Sequence, residues 1–419
     1  MLSLVLLFAS LPSGLALNST RSLPDDVLQD TNTTESLTPE QARRLGDGFQ
    51  DTFLSLDRLR SLDADTAAVL ADIKVKYLSL NGLTTLSPEA ARALAKSPAT
   101  HLYLGGVPAL DVATAGALAE FKGEELYLLG LVSLDVRTAT ALAAYAGGSL
   151  VLSAFRGLAL LDIDAAEQIA ASKACFLVLG VTALDVAIAR ALARFGGEGL
   201  SINCLKTLDV PLAEALGGFG GRWLALDGLV GLDPATAKAI AAFRGEDLCL
   251  DGLRTLDTPT ATALAAFGGR QLSLSSLTTL DAEAAAALAK IAGCLYVSEE
   301  LEWAFCNENP LTLDTVAAWV ALTRGNLAGI TSLDSPDSIA IARALAARKG
   351  PLLMPDLRKI SPKTLSALTE KEDVEIPLIE TLELIPEPDG SPTEDFIAPD
   401  WLEERQEKQR RQQAAREAE

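Results

Sequence analysis

Two neighbouring stretches, LALDGLVGLDPATAKAIAAFRG (Leu224–Gly245) and LCLDGLRTLDTPTATALAAFGG (Leu248–Gly269), decide how the chain is interpreted. The second repeats the first after 24 residues. A fixed period of this length is typical of proteins built by stacking one small unit many times. Copies in register begin at Leu54, Leu78, Leu102, Leu126, Leu150, Phe176, Leu200, Leu224, Leu248 and Leu272, and less regular copies follow near Leu295, Gly325, Leu352 and Val374.

Each copy changes its hydrophobic period halfway along. Apolar residues first alternate, as at Leu126 and Leu128, which is typical of a short strand. From Asp135 the period becomes that of a helix, with Leu142 on its inner side and Gly147 expected as its C-terminal cap. Each unit is therefore predicted to be strand, turn, short helix and return. The predicted fold class is an α/β solenoid with a parallel sheet on one face.

An aspartate precedes almost every predicted helix. It could cap the helix by accepting hydrogen bonds from free amides, or the carboxylates could form a ladder of calcium ligands. Serine replaces it at Ser87 and Ser361, and serine can cap a helix but weakens a charge-based metal site. N-capping is therefore favoured. The aspartates are Asp63, Asp111, Asp135, Asp162, Asp185, Asp209, Asp233, Asp257 and Asp281.

The shared pattern L-x-L-x-G-L-x-x-L-[DS]-x-x-x-A-x-A-L-A resembles a leucine-rich repeat, in a 24-residue variant seen in uncharacterised exported bacterial proteins. The resemblance covers roughly residues 36–385. Residues such as Leu229 and Leu253 stand where the usual motif has asparagine, so a straighter solenoid with two short strands per turn is an alternative to a horseshoe. The resemblance implies binding of proteins or other macromolecules on the strand face, and no catalysis.

The first sixteen residues, MLSLVLLFASLPSGLA, have the composition of a signal peptide. The apolar run from Leu2 to Leu11 is too short to span a bilayer, and small residues follow it. We therefore predict a signal peptide at residues 1–16 and a location outside the cell or in the cell envelope, at its surface.

The remaining chain divides by its repeats and composition. We predict an N-terminal segment and cap at residues 17–53 and the repeat solenoid at residues 54–385, irregular at 296–311. Residues 386–419 are rich in charge and are predicted to be a disordered tail or a solvated helix.

The chain has few groups suited to chemistry. It has a single histidine, His101, and lacks a phosphate loop and a Cys-x-x-Cys pair. We therefore predict that the protein is not an enzyme and has no cofactor and no metal. Of the five cysteines, only Cys294 and Cys306 are expected to be placed for a disulfide bond, and the sequence leaves open whether they pair.

Net charge restricts the partner. The formal charge is −21 and the isoelectric point is about 4.5, whereas nucleic acids and anionic membranes attract Lys and Arg. The predicted partner is a protein or other macromolecule with basic groups. Nucleic acid is excluded by this argument, and no membrane span is expected after signal removal.

The outward strand positions are the candidate site, because packing of the core does not fix them. Apolar residues in four consecutive copies are predicted to form one exposed patch, flanked by carboxylates that attract basic groups. The patch could instead be covered by a terminal segment or another copy, so a self-associating structural component of the envelope or extracellular layer is the alternative function. The predicted partner-binding residues are Tyr103, Tyr127, Leu129, Val151, Leu177, Leu179, Asp227 and Asp251.

Overall fold

A computed structural model describes residues 34–152, 160–347, 351–388, 390–392 and 395–417. The predicted signal peptide lies outside the described residues. The rest confirms the predicted fold class: an α/β solenoid in which short strands and short helices alternate, with a leucine-rich-repeat-like parallel sheet on one face.

Eleven parallel strands form the main sheet, and each pairs with the strand of the next unit. The register joins residues 24 apart, as where Leu54 lies beside Leu78 and Leu224 beside Leu248. These strands are β1 (Phe53–Ser55), β2 (Tyr77–Ser79), β3 (His101–Tyr103), β4 (Glu125–Leu128), β6 (Ser149–Leu152), β8 (Phe176–Leu179), β9 (Gly199–Ile202), β10 (Trp223–Ala225), β11 (Asp247–Cys249), β12 (Gln271–Leu274) and β13 (Cys294–Val297). A separate pair, β5 (Ser133–Leu134) and β7 (Leu160–Leu161), lies beside it.

One helix precedes β1 and covers the first unit, and one helix then follows each main-sheet strand from β1 to β12. That first helix begins with a capping box of Thr38 and Gln41 and buries Ala42 and Leu45. The helices are α1 (Pro39–Gly48), α2 (Ala64–Asp72), α3 (Pro88–Leu94), α4 (Val112–Ala119), α5 (Val136–Leu142), α6 (Ile163–Ala170), α7 (Val186–Leu192), α8 (Val210–Gly217), α9 (Pro234–Ile240), α10 (Thr258–Leu264) and α11 (Ala282–Leu288).

The aspartates cap these helices, as predicted. Asp135 accepts hydrogen bonds from the amides of Arg137 and Thr138 at 2.8 and 2.9 Å. The hydrogen bond from the Thr138 amide holds the pKa of this carboxyl below its usual value. The Thr138 hydroxyl donates to the Leu110 carbonyl of the preceding unit at 3.4 Å, so the cap also ties neighbouring units together. Ser87 and Ser361 cap their helices in the same way.

A stack of aromatic rings replaces the predicted glycine caps. α5 ends at Leu142, so Gly147 lies beyond the helix end and does not cap it. A Cβ on Gly147 would lie 2.1 Å from the Tyr145 hydroxyl. The glycine therefore makes room for the ring. Rings at the equivalent position are buried, and four of them stack at 6.2–6.3 Å between centroids with planes within 9°. These four are Phe195, Phe219, Phe243 and Phe267.

After β13 the architecture changes. Two helices, α12 (Glu299–Glu308) and α13 (Val316–Leu322), interrupt the strands. The last units then have two strands per turn, which is the alternative that the missing asparagine suggested. Their elements are β14 (Ser332–Leu333), α14 (Ser338–Ala346), β15 (Leu352–Leu353), β16 (Lys359–Ile360), α15 (Pro362–Leu368), β17 (Val374–Glu375) and β18 (Glu383–Leu384). Cys294 and Cys306 do not pair, and each is a free thiol.

The C-terminal tail contains α16 (Asp400–Glu417). Its first half is docked rather than solvated, because Leu402 is buried and Arg405 donates to the Val374 carbonyl at 3.0 Å. Gln406 binds the Ile379 amide and the Pro377 carbonyl. The helix therefore covers the end of the last unit. In the described part of the chain, every helix is too short or too polar to cross a membrane.

Candidate functional site

The open face of the main sheet carries three rows of side chains, which we define by their place in each strand. The leading row is the first residue of each strand: Phe53, Tyr77, His101, Glu125, Ser149, Phe176, Gly199, Trp223, Asp247, Gln271 and Cys294. The middle row lies two residues later: Ser55, Ser79, Tyr103, Tyr127, Val151, Val178, Ser201, Ala225, Cys249, Ser273 and Tyr296. The trailing row lies two residues further: Asp57, Asn81, Gly105, Leu129, Gly180, Asn203, Asp227, Asp251, Ser275 and Ser298 among the described residues.

Two of the predicted site residues do not lie on this face. Leu177 and Leu179 pair with Leu150 and Leu152 and are fully buried in the main core. Their predicted outward placement was wrong because the unit before them is one residue longer than the repeat alignment assumed. Since successive side chains of a strand point to opposite faces, that single residue exchanges inside and outside. Val178 takes the outward place instead.

The predicted exposure of the apolar patch was also wrong. Tyr103 and Tyr127 are each only 8% exposed to solvent, and Val151 is fully buried. These residues are shielded because they pack against one another across neighbouring strands, as where the Tyr103 and Tyr127 rings stack. Burial raises the pKa of the Tyr103 phenol to about 12. Whether these residues contribute to binding stays a prediction.

Six residues of the open face pack together, and we call them the tyrosine cluster: Tyr77, Tyr103, Tyr127, Leu129, Val151 and Val178. The rings of Tyr103 and Tyr127 stack 4.3 Å apart at 13°. The Tyr127 hydroxyl donates to the Glu125 carboxylate, and burial raises the pKa of that hydroxyl further than that of Tyr103. The cluster is therefore a small second core, separate from the leucine core, and it supports the side chains above it.

On the described open face, the accessible aromatic side chains lie in the leading row, except Tyr296 in the middle row. Phe53 is 48% exposed, and its ring lies 6.2 Å from that of Tyr77, which lies 4.5 Å from the imidazole of His101. His101 Nε2 is 3.5 Å from a Glu125 oxygen, and Nδ1 is 2.7 Å from the Thr100 hydroxyl. Burial lowers the pKa of His101, although the charges of Glu125 and Glu124 oppose this.

A second aromatic pair occupies the leading row further along. Phe176 and Trp223 meet edge to face, with centroids 6.0 Å apart, above Gly199 on the strand between them. The Trp223 indole nitrogen donates to the Cys249 sulfur at 3.1 Å, so the ring leans over the middle row. Sequence reasoning missed the leading row because it considered only the two outward positions after the first leucine. The residue before that leucine lies on the same side of the strand as those two positions. The aromatic residues found there in several units were the signal available in the sequence.

The two predicted acidic residues lie side by side in the trailing row. Asp227 accepts from the Asp251 amide at 3.1 Å, and Asp251 accepts from the Ser273 hydroxyl and the Ser275 amide at 2.7 and 2.8 Å. Burial, and then the charge of Asp251, raises the pKa of Asp227 to about 7. Asp227 therefore carries less negative charge at neutral pH than an ordinary aspartate.

Within the described residues, no three or more His, Cys, Asp and Glu side chains lie close enough together to hold a metal ion. The arrangement offers aromatic faces, hydrogen-bonding groups and carboxylates arranged in rows, which suits recognition of an extended surface.

Comparison with known proteins gives a sparse result. No family model and no curated protein sequence matches the chain. Among solved structures, two forms of the Drosophila Toll–Spatzle complex share 12% identity, with TM-scores of 0.36 and 0.41 over 75% and 78% of this chain. A TLR13–ssRNA13 complex shares 14% identity, with a TM-score of 0.35 over 79% of this chain. The alignments span only 48%, 43% and 62% of those chains.

Proposed function

We propose that this protein is an exported, non-enzymatic interaction module that binds a protein or other macromolecule on the open face of its main sheet. The observation that carries the proposal is the leading row. In a chain with only 5% aromatic residues, Phe53, Tyr77, Phe176 and Trp223 gather there at positions that the leucine core does not require.

Partly exposed aromatic side chains favour a binding role. They bring large rigid areas to a contact and lose little conformational entropy on binding. The other residues of the tyrosine cluster pack against Tyr77 and hold its ring in place before a partner arrives. A face prepared in this way needs little rearrangement on binding, which favours affinity.

The test uses the immobilised protein to capture partners from the surface fraction of the source cell, followed by titration of the captured partner. The double variant Phe53→Ser, Trp223→Ala should weaken that binding at least tenfold, about 1.4 kcal/mol. Val230→Ser, an exposed residue outside the three rows, is the matched control and should bind as the unaltered protein does. Equal binding by the double variant would place the partner elsewhere.

Export and the exclusion of nucleic acid are further parts of the proposal. Export is supported by the apolar run of residues 2–11, and the mature chain should begin after Ala16 when its N-terminus is sequenced. The charge of −21 supports a partner with basic groups. Single-stranded RNA and duplex DNA should therefore fail to bind at about 0.15 M salt, and saturable binding of either would contradict this part.

Self-association is a second candidate, because an apolar stripe lies on the helix side. Val112, Val136 and Ile163 are the first residues of α4, α5 and α6, and all three are exposed. A stripe of this kind can be covered by another copy of the chain. Sedimentation over a concentration series should show a mass increase that Val136→Thr reduces. A mass that stays monomeric at every concentration would exclude this candidate.

A further inference from the structure

We propose that the leading row of β1–β4, formed by Phe53, Tyr77, His101 and Glu125, is where lysine or arginine side chains of a protein partner dock, and that protonation of His101 releases them. This inference rests on the proposed function and names the chemistry of the partner at that site.

The first step is the arrangement of rings beside carboxylates. The rings of Phe53, Tyr77 and His101 follow one another across three strands, and Glu125 ends the series on the fourth. A cation is attracted both to the face of an aromatic ring and to a neighbouring carboxylate. An extended basic segment that crosses the strands would lie over the rings of Phe53 and Tyr77. Its cation would then reach the narrow exposed part of His101 and Glu125, whose side chains are 13% and 12% exposed.

The second step is that this face already binds cations of its own chain. The Lys76 ammonium lies 5.2 Å from the centre of the Tyr77 ring. At the far end of the sheet, the Arg324 guanidinium lies 4.9 Å from the centre of the Tyr296 ring. Tyr77 and Tyr296 are the tyrosines of the described open face that retain partial exposure, and each contacts a cation. The partner would supply further cations to the same type of surface.

The third step concerns the charge of His101. The charged and titratable groups that face it are Lys76 and Tyr77 from β2 and its approach, Tyr103 from its own strand, and Glu124 and Glu125 from β4 and its approach. Tyr127 on β4 donates a hydrogen bond to Glu125. Burial favours the neutral imidazole, so Glu125 attracts a partner's cation at neutral pH. In mild acid the imidazolium pairs with Glu125 and cancels that attraction.

Binding and protonation must then oppose each other reciprocally. His101 is the single histidine of the chain, so one imidazole signal in a proton NMR titration reports its protonation without assignment. The probe is an octa-arginine peptide at about 0.15 M salt. A saturating amount should lower the titration midpoint of this signal by roughly half a pH unit or more, because a bound cation disfavours the imidazolium. A midpoint that does not move would overturn the proposal.

Charge variants separate this site from the general attraction of an acidic protein. Glu125→Gln should weaken octa-arginine binding roughly fivefold, the effect of one well-placed charge pair. Glu120→Gln removes an equal charge at an exposed position on the helix side and should change binding less than twofold. Equal effects of the two substitutions would contradict the proposal. Thermal melts of both variants establish that they are folded.

The release by acid is measured in an Asp227→Asn background, because Asp227 also titrates near neutral pH. In that background octa-arginine binding should weaken several-fold between pH 7.5 and 5.5, and His101→Gln should abolish the change. A pH dependence that survives His101→Gln would refute the role of His101. If the peptide tests fail while Phe53→Ser, Trp223→Ala still loses the captured partner, the proposed function stands and the cation site does not.

Discussion

The regular units from residues 53 to 297 and the last units from 326 to 384 are held together by different kinds of contact. In the regular units one set of contacts recurs: a side-chain cap on each helix and, from Phe195 onwards, a stacked ring. In the last units two short sheets replace one. Arg324 and Gly325, just before these units, and Gly329 within them adopt positive φ. Among the described residues, every positive φ lies at residue 324 or beyond.

The difference shows where stability is shared and where it is local. A regular unit exchanges the same contacts with both neighbours, so its stability depends on the stack. The last units depend on contacts that occur only once. The buried Glu387 carboxylate, for example, accepts hydrogen bonds from the Ser361 hydroxyl at 2.8 Å and the Lys363 amide at 3.0 Å. Substitutions should therefore have graded, repeating effects in the first region and individual effects in the second.

The largest effect is expected for Phe243→Ala. This ring stacks on Phe219 and Phe267 and is almost fully buried, so its loss should lower the free energy of unfolding by about 3–5 kcal/mol. Denaturant unfolding measures this. Phe53→Ala makes the same change at a half-exposed position and should cost less than about 1 kcal/mol. Similar costs for both would show that the ring stack does not hold the units together.

The next effect belongs to the other region. Leu402→Ala removes the buried anchor of α16 and should cost about 2 kcal/mol, near the lower end for a buried leucine because the helix is terminal. Hydrogen exchange should locate the loss of protection at residues 352–384 and leave β1–β12 protected. Ile397→Ala, at an exposed position, is the control. Deprotection of the whole main sheet would mean that the two regions unfold together.

The helix caps give a smaller and more direct comparison. Asp135→Ala removes a cap with two amide hydrogen bonds and should cost about 1 kcal/mol. At the start of α14, Asp337 makes no side-chain capping bond within the described residues, so Asp337→Ala should stay within about 0.5 kcal/mol of the unaltered protein. Added calcium should leave the melting temperature unchanged. A rise of several degrees would restore the metal-ladder interpretation of the aspartates.

The smallest effect is a pH dependence at Asp227. Its pKa is raised to about 7 by burial, so the folded state holds this proton more tightly than the unfolded state does. Its contribution is fully present below the ordinary aspartate pKa and is lost as the pH rises through about 7. The melting temperature should fall by roughly 1–2 °C more between pH 6 and 8 than in Asp227→Asn. Parallel curves would show that Asp227 titrates normally.

Local signals in the sequence were sufficient for most of the fold. The capping role of Asp135 follows from its place before a helical period, and Ser87 in the same position excluded a purely charge-based role. The inward leucines follow from alternation, which the strand pairing of Leu54 with Leu78 confirms. Such features depend on neighbours a few residues away, so one chain is enough to predict them.

The candidate site depended on information that alternation does not carry. One extra residue before Leu177 reversed the predicted faces of that strand, since the side-chain period is two. The burial of Tyr103 depends on the cluster that it forms with Tyr127 and Val151 of the next two units. These contacts are long-range, so the middle row was correctly assigned as outward in most units while its exposure was not.

The pairing of a ring with a glycine has a consequence for how such a chain can change in length. A Cβ on Gly245 would lie 2.2 Å from its own unit's Phe243 ring and 2.7 Å from the Gly221 carbonyl of the previous unit. The ring, its glycine and the backbone of the neighbouring unit therefore fit together without a clash only when all three are present. A duplicated or deleted gene segment preserves the set when it spans one whole period, wherever its ends fall within the unit. The open face of the main sheet would then lengthen or shorten by one strand spacing for each unit gained or lost.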